Sequence, residues 1–415
     1  MSTVAAIIAE YNPFHKGHAY QIEKTRELTG ADFILVILSG DFVQRGAPSV
    51  FDKYRRTHMA LLGGADAVLE LPVSYACSSA EYFAQGAVGI LDGLNAVDFL
   101  SFGSEAGDLS PCIQAAQILL KEPEEYRKIL REQLKKGRAF PAARKEALLS
   151  CLDENPGYSF LDTPNNILGI EYCKALLSLK SKIRPFTVRR EGNGYHETGL
   201  THSLSSASAL RNVLFSCDSK AEYTVFTEQA RHTQPEAVFS YMKETLEQNV
   251  PLCEDDFSLL LKYQLMLSDQ DSLCRFADMS PALARRIIRR LNEFQSFSQF
   301  TALLKTKELT HTRISRSLLH VLLSLDTDAP GFPPSYVRLL GFRKSASPLL
   351  KKIRNNSRIS LITKAADYPK LLSAESAVHF KKDIFAADLY ETVLKSKIRE
   401  PFVSDLAKSP VILKN

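Results

Sequence analysis

The sequence predicts an α/β fold, in which a doubly wound parallel sheet is followed by a mainly α-helical region. In the first 200 residues, apolar runs of strand length alternate with segments of helical periodicity. Strands that are buried on both faces and separated by helices are typical of a parallel sheet with right-handed crossovers. After about residue 215 only helical periodicity recurs, as far as residue 325.

The individual elements of the first half are predicted from runs of β-favouring apolar residues and from the helical segments between them. The predicted strands cover residues 4–10, 33–38, 67–71, 97–102 and 184–189. The predicted helices cover residues 19–28, 53–62 and 79–91. Each of the first three crossovers between these strands therefore contains a predicted helix, as a parallel sheet requires.

The second half is predicted to be mainly helical. The predicted helices cover residues 235–249, 255–268, 281–294, 297–305 and 313–325. Residues 328–334 contain three prolines, which cannot continue a helix, so this stretch is predicted to be a turn or linker. Because 415 residues exceed what one hydrophobic core usually supports, we expect two domains, at residues 1–215 and 216–415.

The composition is that of an ordinary globular protein, with 45% hydrophobic and 24% charged residues. No apolar run approaches the roughly 20 residues of a membrane span, and the first 20 residues do not resemble a signal peptide. The seven cysteines are scattered and form no CxxC pair. This pattern favours reduced thiols in a cytoplasmic protein over a disulfide framework or a zinc site.

The positive charge is concentrated in one segment. Residues 271–358 hold sixteen Lys or Arg against six Asp or Glu, a net charge of +10, so the rest of the chain carries −5. A basic segment of this kind is typical of a surface that binds a polyanion such as nucleic acid. A solvated helical surface is the alternative interpretation.

The loop after the first predicted strand has the residues of a phosphate site. In a doubly wound sheet, ligands bind beyond the carboxyl ends of the strands, where helix N-termini present unpaired N–H groups. The sequence NPFHKGH places His15 and His18 at such a position, with Gly17 between them. Glycine permits a close approach of the backbone, and imidazoles donate hydrogen bonds to phosphate oxygens.

These residues resemble the HxGH motif of the nucleotidyltransferase superfamily, which includes class I aminoacyl-tRNA synthetases and small adenylyltransferases. A second element, SSASALR at residues 205–211, resembles the Ser-x-Thr-x-x-Arg motif of the same superfamily, with Ser208 in place of the usual threonine. The resemblance implies a Rossmann-like nucleotidyltransferase domain that binds ATP as a cosubstrate.

A wider set of segments resembles the family of bacterial tRNA(Met) cytidine acetate ligases. The segments are YNPFHKGH, SGDFVQRG, FGSE, TPNNILG, VRR, TKELTHTRISR and RLLGF. The resemblance implies that acetate is activated by ATP to acetyladenylate, with release of pyrophosphate. The acetyl group then passes to N4 of the wobble cytidine in elongator tRNA(Met), giving N4-acetylcytidine.

The family also implies which residues bind ATP, with His15 and His18 as the catalytic pair on the phosphates. The implied ATP-binding residues are Ile7, Ile8, Ala9, Glu10, Tyr11, Asn12, Pro13, Phe14, His15, Lys16, Gly17, His18, Ala19, Tyr20, Gly103, Asn165, Asn166, Arg189, Arg190, Ser206, Ser208 and Arg211. Several of these have a plain structural alternative: a turn glycine, an asparagine that caps its helix, or a solvated arginine pair. Gln44 and Arg45 are candidates for contact with acetate or the cytidine.

The basic segment supplies the residues expected to hold the tRNA by its phosphates. They are Arg285, Arg286, Arg289, Arg290, Lys305, Lys307, Arg313 and Arg316, with Lys351, Lys352 and Arg354 further along. Arginines four residues apart on one helix repel each other, and a phosphate partner would relieve that repulsion.

Two other functions remain open at this point. A small-molecule adenylyltransferase would need no basic helical half, and a binding protein could keep the ATP pocket without its chemistry. Zinc held by His15 and His18 is rejected because no further Cys or His ligand is near in the sequence. Mg²⁺ is compatible with ATP use, although no acidic cluster indicates a site for it. The sequence gives no indication of the oligomeric state.

Overall fold

The structure is a computed structural model that describes residues 2–105, 107–138, 140–152, 158–189, 207–217, 219–327 and 333–414. Ten strands lie in these ranges. They are β1 (Val4–Ala9), β2 (Phe33–Ser39), β3 (Phe42–Val43), β4 (Ala47–Pro48), β5 (Ala67–Leu71), β6 (Phe99–Ser104), β7 (Arg184–Arg189), β8 (Tyr336–Arg343), β9 (Ser360–Ile362) and β10 (Val411–Leu413).

Nineteen α-helices lie in the same ranges. Those up to β7 are α1 (Lys16–Thr29), α2 (Lys53–Leu62), α3 (Val73–Ala76), α4 (Ala80–Leu94), α5 (Ser110–Lys121), α6 (Glu124–Lys135), α7 (Phe140–Leu149) and α8 (Pro164–Ser178). Those after β7 are α9 (Ala207–Leu214), α10 (Lys220–Ala230), α11 (Glu236–Gln248), α12 (Ser258–Met266), α13 (Gln270–Leu273), α14 (Pro281–Arg290), α15 (Phe297–Leu304), α16 (His311–Leu322), α17 (Ser347–Asn356), α18 (Tyr368–Leu371) and α19 (Ala374–Ile398).

Five strands of the first half form the parallel part of the sheet, in the order β5-β2-β1-β6-β7. The chain runs outward from β1 in both directions, so the strand order reverses between β1 and β6. In open α/β sheets this reversal opens a crevice at the carboxyl ends of the strands, where ligands bind. All five strands were predicted from the sequence, and the predicted α/β fold class is confirmed.

Helices cover both faces of the sheet because alternate strand residues point to opposite sides. Ala6 and Leu35 pack into one core with α4, α5 and α8, whereas Ile7 and Val36 pack into a second core with α2 and α11. A third core lies among the helices from α12 to α16 and part of α19. The two-sided burial explains the continuous apolar runs of β1 and β2.

The sheet does not end with the first half of the chain. β8 pairs antiparallel with β5, and its other edge carries β9 and β10, both parallel to it. These three strands lie in the part predicted to be mainly helical, and the sequence did not predict them. The domain boundary at residue 215 stays a prediction. The sheet contains strands from both sides of that residue.

A buried group of charges joins the two halves. The Lys53 ammonium lies 2.8 Å from the Glu70 carboxylate and 2.9 Å from that of Asp405. Asp405 also accepts hydrogen bonds from Arg338 on β8 and, at 2.8 Å, from the Tyr54 hydroxyl. Burial would lower the pKa of Lys53, but the two carboxylates outweigh it and hold the pKa above its ordinary value.

Candidate nucleotide site

The loop between β1 and α1 lies at the carboxyl edge of the sheet, beside the point where the strand order reverses. His15 is the N-cap of α1, and Gly17 and His18 occupy its first turn. The N-terminus of a helix carries unpaired N–H groups and a partial positive charge, so this corner favours a phosphate group. The structure thus places the predicted histidine pair at a helix N-terminus, a position that favours anions.

The two imidazoles form a reciprocal cap on α1. The Gly17 N–H donates to His15 Nδ1 at 3.0 Å, and the His15 N–H donates to His18 Nδ1 at 3.2 Å. Because both Nδ1 atoms accept, the ring proton of each neutral imidazole sits on Nε2. Nε2 is therefore the atom through which either ring can donate to a phosphate oxygen.

The positions of the two rings are set by their neighbours. The His15 and His18 rings stack with their centroids 3.8 Å apart, and the Tyr11 ring lies 4.8 Å from His18. A β-carbon on Gly17 would lie 2.8 Å from His15 Cε1, which is closer than real contacts allow. The glycine of the motif is needed here because the ring of His15 fills the space of a side chain.

The second predicted motif meets the first. Arg211 on α9 donates to the Asn12 carbonyl at 2.6 Å and to the Ser208 hydroxyl at 3.0 Å. The guanidinium is therefore held at Asn12, the residue before Pro13, in the loop that leads to the histidine pair. Ser206 and Arg190 lie outside the described residues.

Further predicted nucleotide residues lie near the ends of β6 and β7 and at the start of α8. Gly103 is within β6, and Arg189 ends β7 with an exposed side chain. Asn166 is buried within the first turn of α8; its side chain accepts from the Ser104 hydroxyl and donates to the Phe160 carbonyl, at 3.0 Å each.

The neighbouring Asn165 donates to Glu105 at 2.8 Å. The other Glu105 oxygen, Oε2, is buried without a partner among the described residues, as is the Tyr11 hydroxyl.

Arg56 lies at the carboxyl edge of the sheet, and the sequence did not predict its role there. Its guanidinium is fully buried and donates to the carbonyls of Phe51, Glu10 and Ser39 at 2.6–3.1 Å, and also to that of Gly40. Burial lowers the pKa of Arg56. The residue ties the end of β1 to the end of β2 and so shapes the loop that begins with the histidine motif.

The predicted basic residues divide into two groups. The exposed ones are Arg285, Arg289, Lys305, Lys307, Arg313, Lys351 and Arg354. The others contact the protein: Arg290 pairs with Glu293 at 2.7 Å, Arg316 pairs with Asp278 at 2.9 Å, Arg286 donates to Leu303 O at 3.3 Å, and Lys352 donates to Ser2 O at 2.8 Å. The second group is thus already engaged within the protein, and the first group is the part of the predicted surface that is exposed.

Within the described ranges, no group of three or more His, Cys, Asp or Glu residues could hold a metal ion. No helix in those ranges has the length and apolar character to cross a membrane. A cavity of about 510 Å³ lies between α2, α11 and the C-terminal strand β10. Its lining includes none of the predicted nucleotide residues.

The chain belongs to the HIGH nucleotidyl transferase family, whose model matches residues 1–403. Within this class it belongs with the tRNA(Met) cytidine acetate ligases, so the resemblance read from its motifs is confirmed. The relative of that name from Thermoanaerobacter sp. (strain X514) is 39% identical over 402 residues, 95% of this chain and 96% of its own. The one from Clostridium perfringens is 37% identical over 423 residues, 99% of this chain and 100% of its own.

Solved structures agree with this assignment. Thermotoga maritima TmcAL in its apo form I superposes with a TM-score of 0.92, and the same protein bound with α-thio ATP superposes with a TM-score of 0.89. Each is 30% identical to this chain, and each match covers 100% of both chains. The fold therefore matches that of a protein known to bind an ATP analogue.

Proposed function

We propose that this protein is an ATP-dependent ligase that activates acetate and transfers the acetyl group to N4 of the wobble cytidine of elongator tRNA(Met). The family membership supports this function, because its curated relatives carry that name over nearly the whole chain. The observation that carries it is the pair of stacked imidazoles at the N-terminus of α1, with Nε2 as the donor atom of each.

In the first step, an oxygen of acetate attacks the α-phosphorus of ATP. The new P–O bond gives acetyladenylate, and pyrophosphate leaves with the electrons of the broken bond. Phosphoryl chemistry of this kind depends on positioning and on donors aimed at the developing charge. His15, His18 and the N-terminus of α1 supply those donors, while Arg211 holds the loop that carries them.

In the second step, the exocyclic amine of the cytidine attacks the acetyl carbon of acetyladenylate. The C–N bond forms, the anhydride C–O bond breaks, AMP leaves, and the amine loses a proton to solvent. The base must first be unstacked from the anticodon loop, as is usual when a protein reads single-stranded RNA. The exposed arginines and lysines of α14 and of residues 305–313 would hold the phosphates around it.

ATP is the cosubstrate in this proposal. Mg²⁺ would come with the triphosphate, since divalent cations of this kind are usually bound through substrate phosphates and only one or two protein carboxylates.

The test is mass spectrometry of tRNA incubated with the protein, ATP and labelled acetate. We expect one labelled acetyl group on a cytidine of elongator tRNA(Met), which is absent when ATP is omitted. Acetyl-CoA in place of acetate and ATP should give no product. Formation of adenylate without transfer to tRNA would instead indicate a small-molecule adenylyltransferase.

A further inference from the structure

The short hairpin formed by β3 and β4 lies between the loop that follows β1, which carries His15, and α16, a helix of the basic segment. On one side, the Gln44 N–H donates to Glu10 Oε1 at 2.9 Å, and Glu10 directly follows β1. On the other side, the Ser315 hydroxyl donates to the Gly46 carbonyl at 2.8 Å. Ser315 lies on α16, which also carries the exposed Arg313. The hairpin thus contacts both surfaces that the two reaction steps require.

The hairpin is held firmly at its base. The Phe42 ring packs edge-on against Phe257 at 5.5 Å and against Tyr390 at 6.1 Å, within the helical core. The Ser49 N–H donates to the Asp41 carbonyl at 2.8 Å, which closes the two strands. These contacts fix the position of the tip relative to the helices.

The tip is also fitted closely to α16. Gly46 has φ +80°, and a β-carbon there would lie 2.4 Å from the backbone nitrogen of Arg316 and 2.6 Å from the carbonyl carbon of Ser315. Both atoms are backbone, so no side-chain rotation can relieve the contact. The neighbouring Arg45 is exposed at the turn.

An exposed arginine in this place suits unpaired RNA. A guanidinium binds phosphate through two parallel hydrogen bonds and also stacks on an unpaired base. We propose that residues 42–48 are the positioning element for acetyl transfer, and that Arg45 binds the single-stranded loop of the RNA substrate. This inference rests on the proposed function, and it concerns only the second step.

Gly46→Ala tests the inference, with Gly137→Ala as the matched control. Gly137 has φ +76°, nearly that of Gly46, but a β-carbon there meets nothing within 4 Å. To restore ordinary contacts, Gly46→Ala must move the hairpin or α16 by about 1 Å, and a shift of this size can cost about 100-fold in rate. We expect acetyl transfer to tRNA to fall by about that factor, and acetate-dependent ATP–pyrophosphate exchange to fall by a much smaller factor. Gly137→Ala should leave both reactions unchanged.

Arg45→Ala provides a second variant that adds no steric strain. We expect kcat/KM for tRNA to fall about 10- to 100-fold, the loss of one charge-assisted contact, and the rate of exchange to fall by a much smaller factor. Arg45→Lys should recover part of the lost kcat/KM. Equal losses in exchange and transfer would overturn the inference, and so would full transfer activity in both Gly46→Ala and Arg45→Ala. A wild-type protein that acetylates no tRNA would instead refute the proposed function.

Discussion

Gly17→Ala tests the proposed catalytic role of the histidine pair apart from its role in capping α1. The added β-carbon would lie 2.8 Å from His15 Cε1 and 3.0 Å from His15 Nδ1. The ring must therefore move by several tenths of an ångström, and the bond from the Gly17 N–H to its Nδ1 is weakened or lost. The stack against His18 shifts with it.

The effects on stability and on activity differ in size. Loss of a helix cap costs about 1 kcal/mol, while alanine in place of glycine in a helix gains up to about 1 kcal/mol. The free energy of unfolding of Gly17→Ala should thus stay within about 1 kcal/mol of wild type. Displacing one donor from a developing phosphate charge costs about 10²- to 10³-fold in rate. We expect acetate-dependent ATP–pyrophosphate exchange to fall by that factor.

Gly30→Ala is the control on the same helix. Gly30 ends α1 with φ +63°, and a β-carbon there meets nothing within 4 Å. Alanine in this left-handed conformation costs about 1–2 kcal/mol, so the unfolding midpoint should fall while exchange per folded molecule is kept. Wild-type exchange in Gly17→Ala would refute the reasoning, as would an equal loss of exchange in Gly30→Ala.

Three further predictions follow from the site, the basic surface and a buried carboxyl. His18→Ala should abolish exchange with the far-UV circular dichroism unchanged; exchange at the wild-type rate would remove His18 from the mechanism. Replacing the exposed Arg285 and Arg289 by glutamine should weaken tRNA binding. Filter binding from low to moderate salt should show the slope of log K against log salt reduced by about 1.4. An unchanged slope would exclude this surface as the tRNA-binding surface. Burial raises the pKa of Asp41 to about 7 from 3.8, so its contribution to stability is present at low pH and lost as pH rises through 7. Asp41→Asn should remove a fall of up to about 4 kcal/mol between pH 4 and pH 8 in denaturant titrations, and parallel curves for both proteins would contradict this.

The parallel strands were predictable because each is buried on both faces. Residues 33–38 and 67–71 read as continuous apolar runs, and such runs of strand length indicate a parallel sheet. β8 was missed although YVRLLGFR contains an apolar run, because Arg338 within it argues against a central strand. Its charge is balanced by Asp405, which lies 67 residues later, and no local pattern reveals such a pairing.

The residues of the candidate site likewise divide into those that the sequence predicted and those that it did not. His15 and His18 were predictable because their interaction is local, within one turn of α1. The contact of Arg211 with Asn12 joins residues 199 apart, and only the resemblance to a known family suggested that the two residues share a site. Arg56 was missed because an arginine in a helix usually indicates a solvated surface, whereas its four carbonyl partners come from three separate loops or strand ends.

The ion pair between Lys53 and Asp405 sets an order on the folding of a newly made chain. The two residues are 352 positions apart, so at about 5–20 residues per second a ribosome needs about 20 to 70 s to supply the second after the first. During that interval Lys53 can pair with Glu70 but not with Asp405, so its ammonium lacks one of its two carboxylate partners. Packing around Lys53 is therefore completed only after the chain has been made as far as Asp405.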